Sequence, residues 1–278
     1  MTTLTAEQKS LVQEKATAIR VSILKAVTAA KSGHPGGSLS IADLMALLYY
    51  VEMNVDPKNP KDGNRDRFVL SKGHAAPALY ATLAEKGFFD KGELENLRKI
   101  DCMLQGHPDM KHTPGVDMST GSLGQGISAA CGDGIGRTHR QKKTIVFLPY
   151  SVTVNWKEGQ VWEAAMFAGF YKLNNLTAFI DFNGLQIDGD IREVMSPLPI
   201  APKFEAFNWN VIEVNGHDLD ELHNAIEAAK ACTDKPTAIV MNTVKGKGVK
   251  EMEGQAGWHG KAPSAEEYEK FVAELLEV

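Results

Sequence analysis

The stretch Leu176-Thr177-Ala178-Phe179-Ile180-Asp181-Phe182, running into Asn183-Gly184-Leu185-Gln186-Ile187-Asp188-Gly189, is a short apolar run that breaks into a polar, glycine-punctuated loop. A run of this length without polar alternation reads as a strand covered on both faces. The same reading applies to Phe68-Val69-Leu70, to residues 210–214 and to Thr237–Asn242. Between these runs lie helical patterns. Leu11, Ile19, Val21, Ile23, Leu24 and Val27 make the apolar stripe of an opening helix; further helices are expected over 40–51, from 75 through Leu83, and over Leu219–Ala231. Strands alternating with helices predict an α/β fold, a parallel sheet flanked by helices. Ligands of such sheets bind beyond the carboxyl ends of the strands, which places the loops 72–74, 182–189 and 245–248 at the candidate site.

The composition narrows the function. A net charge of −5 with no dense Lys/Arg run gives no footprint for nucleic acid or an anionic membrane. Cys102, Cys131 and Cys232 are odd in number and lack ligand spacing, so buried, reduced thiols are expected rather than disulfides or zinc. There is no signal-peptide pattern and no apolar run of membrane-spanning length, which predicts a cytoplasmic protein. No internal repeat or low-complexity linker divides the chain, so residues 1–278 are expected to form one domain.

Three glycine-rich clusters each carry an imidazole: Ser32-Gly33-His34-Pro35-Gly36-Gly37, Ser71-Lys72-Gly73-His74 and Gly106-His107-Pro108. One such cluster is an ordinary turn; three suggest a site, because histidine moves protons near neutral pH and binds anionic oxygens. The run Ser119-Thr120-Gly121-Ser122-Leu123-Gly124-Gln125-Gly126 reads as a tight loop entering a helix, where glycines bring backbone amides close to a phosphate or ring, or allow close helix–sheet packing.

These motifs, with Glu158-Gly159-Gln160-Val161-Trp162-Glu163-Ala164, Asp181 to Gly189 and Trp258-His259-Gly260-Lys261, resemble the N-terminal, thiamine-diphosphate-binding half of transketolase in order and spacing over nearly the whole chain. The resemblance implies the thiamine-diphosphate-binding fold, the cofactor thiamine diphosphate with Mg2+ or Ca2+, and transfer of a two-carbon ketol unit between ketose and aldose phosphates, as in the pentose phosphate pathway. By resemblance His34, His74, His107 and His259 line the channel and the cofactor's reactive end. Lys72 and Lys261 touch substrate, Gly121 and Leu123 contact the aminopyrimidine side, and Lys245 lies near the diphosphate. Asn183, through its side-chain oxygen, and Leu185, through its carbonyl, are implied metal ligands. Glu158 matches a family glutamate at the boundary between subunits and reads equally well as an acid favoured by a helix N-terminus. Trp162 and Phe167 read as core.

Two departures qualify the resemblance. The first is the metal-binding Gly-Asp-Gly, which the family carries about thirty residues before the Asn. Here Val152-Thr153-Val154 stands in its place, with Thr153 at the aspartate position. Hard divalent cations normally take at least one carboxylate. Gly132-Asp133-Gly134 is no substitute, because it falls where the family has a buried helix. Either the chain is a relative that has lost its anchor, or residues 133–157 are an out-of-frame translation. The genetic code favours the second. Ser151 to Trp156 written TCG GTG ACG GTG AAC TGG, read from the last base of the serine codon, becomes GGT GAC GGT GAA CTG, which is Gly-Asp-Gly-Glu-Leu. A run of adenines at Gln141-Lys142-Lys143 is a natural slip point. The second departure is length. Transketolases are about twice as long, and their C-terminal half supplies the activating glutamate and the grip on the sugar phosphate. The resemblance therefore implies a split enzyme whose partner is a separate C-terminal subunit, joined in a heterotetramer. A subunit kept for assembly, and a split transketolase for a sulfonated or deoxy sugar, remain alternatives.

Overall fold

The computed structural model describes residues 3–138, 144–148, 158–187 and 189–277. Five parallel strands form the sheet in the order β1 (Arg67–Leu70), β2 (Thr144–Leu148), β3 (Leu176–Phe182), β7 (Thr237–Asn242) and β6 (Asn210–Asn215). A two-residue antiparallel pair, β4 (Leu185–Gln186) with β5 (Gly189–Asp190), folds the loop after β3 back on itself. The four strands read from the sequence are all present.

Period-two alternation puts the side chains of β1, β3 and β7 into two separate cores. Phe68, Leu70, Phe179, Ile239 and Met241 face a core built with α1 (Ala6–Ala29), α2 (Pro35–Leu39), α3 (Ala42–Leu47), α4 (Ala76–Lys86), α9 (Leu219–Ala231) and α10 (Ala265–Leu276). Val69, Ala178, Ile180, Ala238 and Val240 face the other core, built with α5 (Gln125–Thr138), α6 (Gly159–Phe170) and α8 (Ala201–Ala206). The short α7 (Ile191–Val194) follows β5. Two-sided burial explains the apolar runs of β3 and β7, while the edge strand β6 keeps an exposed Glu213.

The helix ends are encoded locally. Thr5 with Gln8 and Ser264 with Glu267 form capping boxes at α1 and α10, and Asp218 caps α9. Gly87, at φ 92°, lets α4 end in a left-handed turn. Among the described residues no helix is long and apolar enough to cross a membrane.

Three sequence readings are corrected. The helix expected over 40–51 starts earlier, with Pro35 in its first turn, and breaks between α2 and α3 before closing in a π turn, Leu48–Glu52. The break follows Ser40, whose hydroxyl is engaged by the Gly37 carbonyl and by Asp181. Phe167 is not core: 37% of it is exposed, while Trp162 is half-buried against Phe204 and Phe207. All three cysteines are free, but only Cys131 is buried. Gly132-Asp133-Gly134 does lie in a helix, α5, where Asp133 pairs with Arg67 at 3.1 Å.

Candidate active site

The carboxyl ends of β1, β3 and β7 open on one edge of the sheet, and their loops meet α2. His34 precedes Pro35 at the start of α2, and its carbonyl accepts the Ser38 hydroxyl at 2.7 Å. His74 sits in a single 3-10 turn directly after β1, and His259 directly follows the turn Ala256–Trp258. Their rings form a triangle with centroid separations of 5.0 Å for His34 to His74, 5.2 Å for His34 to His259 and 5.4 Å for His74 to His259. Glycines allow this convergence. A Cβ on Gly36 would stand 2.9 Å from the Trp258 carbonyl and 3.0 Å from Lys245 Cε, and one on Gly73 would stand 2.8 Å from the Thr120 backbone.

Burial keeps the triangle neutral. His34 and His259 are each pushed down to about 4, first by desolvation and then by neighbouring basic groups: Arg98, the His107 ring and Lys245 for His34, and Lys245, the His34 ring and Lys72 for His259. His74 is held well below the usual imidazole value for the same reasons. His34 Nδ1 and His74 Nε2 are buried without a hydrogen-bond partner. Neutral imidazoles with unpartnered polar atoms suit a polar ligand that would supply the missing contacts.

Lys245 is buried, with its ammonium 3.4 Å from His259 Nδ1. Burial, then repulsion from Lys72, lowers it to about 8. Its loop is pinned by the Gly246 N–H, which donates to the Gly36 carbonyl at 2.9 Å. A buried cation beside other cations creates a local site for an anion despite the acidic net charge. These features fit a diphosphate.

Lys72 is corrected. The resemblance put its ammonium on substrate; instead it is fully buried, 2.7 Å from Asp181 Oδ2 and 2.5 Å from the Gly37 carbonyl. Lys261 lies at the rim, 4.0 Å above the Trp258 ring and 3.2 Å from Glu267. His107 stands apart from the triangle. Its ring lies 3.4 Å from where a Cβ on Gly121 would be, its carbonyl accepts the Tyr80 hydroxyl at 3.0 Å, and burial, then Arg98, lowers its pKa. The Leu123 carbonyl accepts the Ser71 hydroxyl at 2.5 Å, tying the 119–126 loop to the end of β1. Glu158 is the N-cap of α6, but its side chain makes no capping bond; it packs where a Cβ on Gly124 would touch it, against the same loop.

The metal side is less complete. Asn183 is buried; its Nδ2 lies 3.3 Å from Asp181 Oδ2 and its Oδ1 accepts the Leu185 N–H at 3.2 Å. With the Leu185 carbonyl it supplies two neutral oxygens. Thr153 and residues 149–157 lie outside the described residues, so the described residues give this position no carboxylate and do not by themselves fit a hard cation. Glu52, His223 and Glu227 come close enough to hold a metal, but Lys230 sits on both glutamates at 2.5 and 2.6 Å.

Two residues of the site were missed in the sequence. Asp181 carried a signal, a carboxylate at the end of a buried apolar strand. Arg98 carried none: its contact with Ser32 at 2.5 Å depends on a left-handed turn at φ 64°.

Residues 11–275 match the family model for transketolase, thiamine diphosphate binding domain. The chain is 44% identical to the 6-deoxy-6-sulfo-D-fructose transketolase subunit SqwG of Clostridium sp. (strain MSTE9), covering 97% of this chain and 98% of that protein. It is 40% identical to an apulose-4-phosphate transketolase subunit of Phocaeicola vulgatus, covering 93% and 91%. Human transketolase is 42% identical over 95% of this chain, which spans 42% of that protein's length. The solved transketolase of Campylobacter jejuni superposes with a TM-score of 0.87 at 36% identity, over 95% of this chain and 42% of that one. With a parallel sheet whose strand ends gather the imidazoles and the buried lysine, and with relatives matched from end to end, this chain belongs to the transketolase family, through its thiamine diphosphate binding domain.

Proposed function

We propose that this chain is the diphosphate-side subunit of a two-chain transketolase, in which a separate C-terminal chain completes the site and a divalent cation anchors the cofactor. The observation that carries this reading is the neutral triangle of His34, His74 and His259 beside the buried Lys245. Thiamine diphosphate supplies the carbon nucleophile and electron sink for ketol transfer. The chain's own residues bind, orient and move protons. Lys245 holds the diphosphate. His34 Nδ1 and His74 Nε2 present buried ring atoms that accept or donate at sugar hydroxyls, and their neutrality lets each serve as base in one half-reaction and its conjugate as acid in the other. His259 lies between Lys245 and His34, and so between the anion and the reacting end. His107, at the mouth, reaches the donor's terminal hydroxyl.

Both relatives matched over nine-tenths or more of their length, 98% and 91%, are named as transketolase subunits, one for a 6-deoxy-6-sulfo sugar and one for apulose 4-phosphate. We infer an acceptor or donor of that kind, with its anionic end read by the partner chain. Residues 133–157 reflect a shifted reading frame, and Gly-Asp-Gly completes the cation's ligands with Asn183 and Leu185.

The test is to co-purify the chain with its C-terminal partner and assay ketol transfer with thiamine diphosphate and Mg2+, while mapping peptides across 127–163 by mass spectrometry. Activity of the pair, with neither chain active alone, supports the reading. An inactive pair whose peptides contain Gly-Asp-Gly-Glu overturns it. Peptides containing Val-Thr-Val-Asn in an inactive pair favour a subunit kept for assembly.

A further inference from the structure

Asp181, at the end of β3, is fully buried and accepts four hydrogen bonds. Its Oδ2 receives Lys72 Nζ at 2.7 Å, Ser40 Oγ at 2.8 Å and Asn183 Nδ2 at 3.3 Å, and its Oδ1 receives the Thr243 hydroxyl. The donors come from four segments, and each segment carries a residue of the site. Ser40 closes α2, which starts at His34; Lys72 leads into His74; Asn183 opens the loop after β3; Thr243 opens the loop of Lys245. A counter-ion for Lys72 needs only one of these contacts. The other three donors are neutral, and nothing about charge balance requires them to gather on one carboxylate.

The contact with Asn183 also fixes which way its amide faces. An ionised carboxylate only accepts, so Nδ2 turns toward Asp181 and Oδ1 turns toward the Leu185 N–H. We propose that Asp181 is the positioning residue of the site: it sets the mutual placement of the four loops and turns the Asn183 oxygen away from itself, toward the Leu185 N–H. What the loops hold rests on the transketolase reading; that Asp181 holds the loops does not.

Replacing Asp181 alone would strand the Lys72 cation in the interior, and the damage would say nothing about positioning. The test therefore neutralises both. Lys72→Met, Asp181→Asn with Lys72→Met, and Asp181→Leu with Lys72→Met are compared with the wild-type chain by hydrogen exchange and by calorimetric titration with thiamine diphosphate and Mg2+. Asparagine keeps one acceptor oxygen for the crowded side, and its amide N–H can donate to the Thr243 hydroxyl in place of the bond the carboxylate accepted, so the gathering is kept; leucine keeps none. Positioning predicts that the leucine pair exchanges about tenfold faster in segments 34–40, 72–75, 183–186 and 243–246 while α9 and α10 stay protected, with cofactor affinity lowered by about the same factor. The asparagine pair, which keeps a partner for each neutral donor, should exchange like Lys72→Met. If both pairs exchange like Lys72→Met, Asp181 is only a counter-ion and the proposal is overturned. Should the leucine pair not fold, Asp181→Ala with Lys72→Met takes its place: selective loosening of the four segments supports the proposal, and protection like that of Lys72→Met rejects it. A wild-type chain that fails to take up thiamine diphosphate even with its C-terminal partner present counts against the proposed function, while the exchange pattern still tests Asp181.

Discussion

At one end of the site, three half-buried imidazoles stand within 5.4 Å of one another on segments packed against the larger core, beside the buried Lys245 and Asp181. At the other end, Asn183 and Leu185 offer two neutral oxygens, and the segment that should add a carboxylate reads Val152-Thr153-Val154. The first end is determined by burial: desolvation sets the protonation of its histidines, and glycines set their approach. The second depends on one short stretch of sequence. A chain can therefore keep the arrangement of its imidazoles while the proposed anchor for the cofactor changes, and the two ends can be perturbed separately.

The largest effect is expected at the imidazole end. His74→Ala, in the complex with the partner chain, should lower kcat by about 10²–10⁴-fold with little change in cofactor affinity. A kcat within about threefold of wild type would mean that the triangle is a packing feature. Next comes the metal end. If the protein is translated as written, Val152→Gly with Thr153→Asp and Val154→Gly should raise the Mg2+-dependent affinity for thiamine diphosphate by about 100-fold, because it adds the missing carboxylate and removes two stiff side chains. Equal affinity before and after would show that the imidazole end and Lys245 hold the cofactor unaided. Lys245→Met sits between the two and should weaken binding by about tenfold. Because Lys245 is lowered to about 8, a diphosphate arriving at pH 8 should draw a proton onto it; calorimetry in buffers of different ionisation enthalpy would read that uptake, and Lys245→Met should abolish it.

Much of this division was visible before any coordinates. Leu176–Phe182 and Thr237–Asn242 are strands because they are apolar throughout, and that pattern arises only where both faces are covered. Gly-His pairs located the imidazole end. What the sequence concealed were long-range partners. Lys72 looks like a loop lysine free to meet a ligand, yet it is committed to Asp181, 109 positions away. The break at Ser40 was illegible for the same reason, since its hydroxyl answers to Asp181 and not to local helix propensity. Phe167 fits an apolar helix by pattern but falls on the outward side of α6.

The smallest effect separates the two ends without any change to the reaction. His34 and His259 titrate near 4 in the folded chain, and His74 is also held well below the unfolded value of about 6.5. As pH falls from 6.5 toward 4, the unfolded chain takes up protons that the folded one refuses, so the equilibrium moves toward unfolding. The stability tied to neutral histidines is thus complete above 6.5 and is lost as pH drops, with a slope of up to about 1.4 kcal/mol per pH unit for each ring. Asp43, held at about 2 by Arg20 and His217 against its own burial, acts only below that window, from 3.8 downward. Among the described residues the oxygens assigned to the metal end do not titrate, since Asn183 and the Leu185 carbonyl are neutral at every pH. Urea unfolding of the full chain between pH 7 and 4.5 should therefore show a slope that His74→Asn reduces by about one proton and Asn183→Ala leaves unchanged. A slope indifferent to His74 would place the acid sensitivity elsewhere and remove the desolvation argument from the imidazole end.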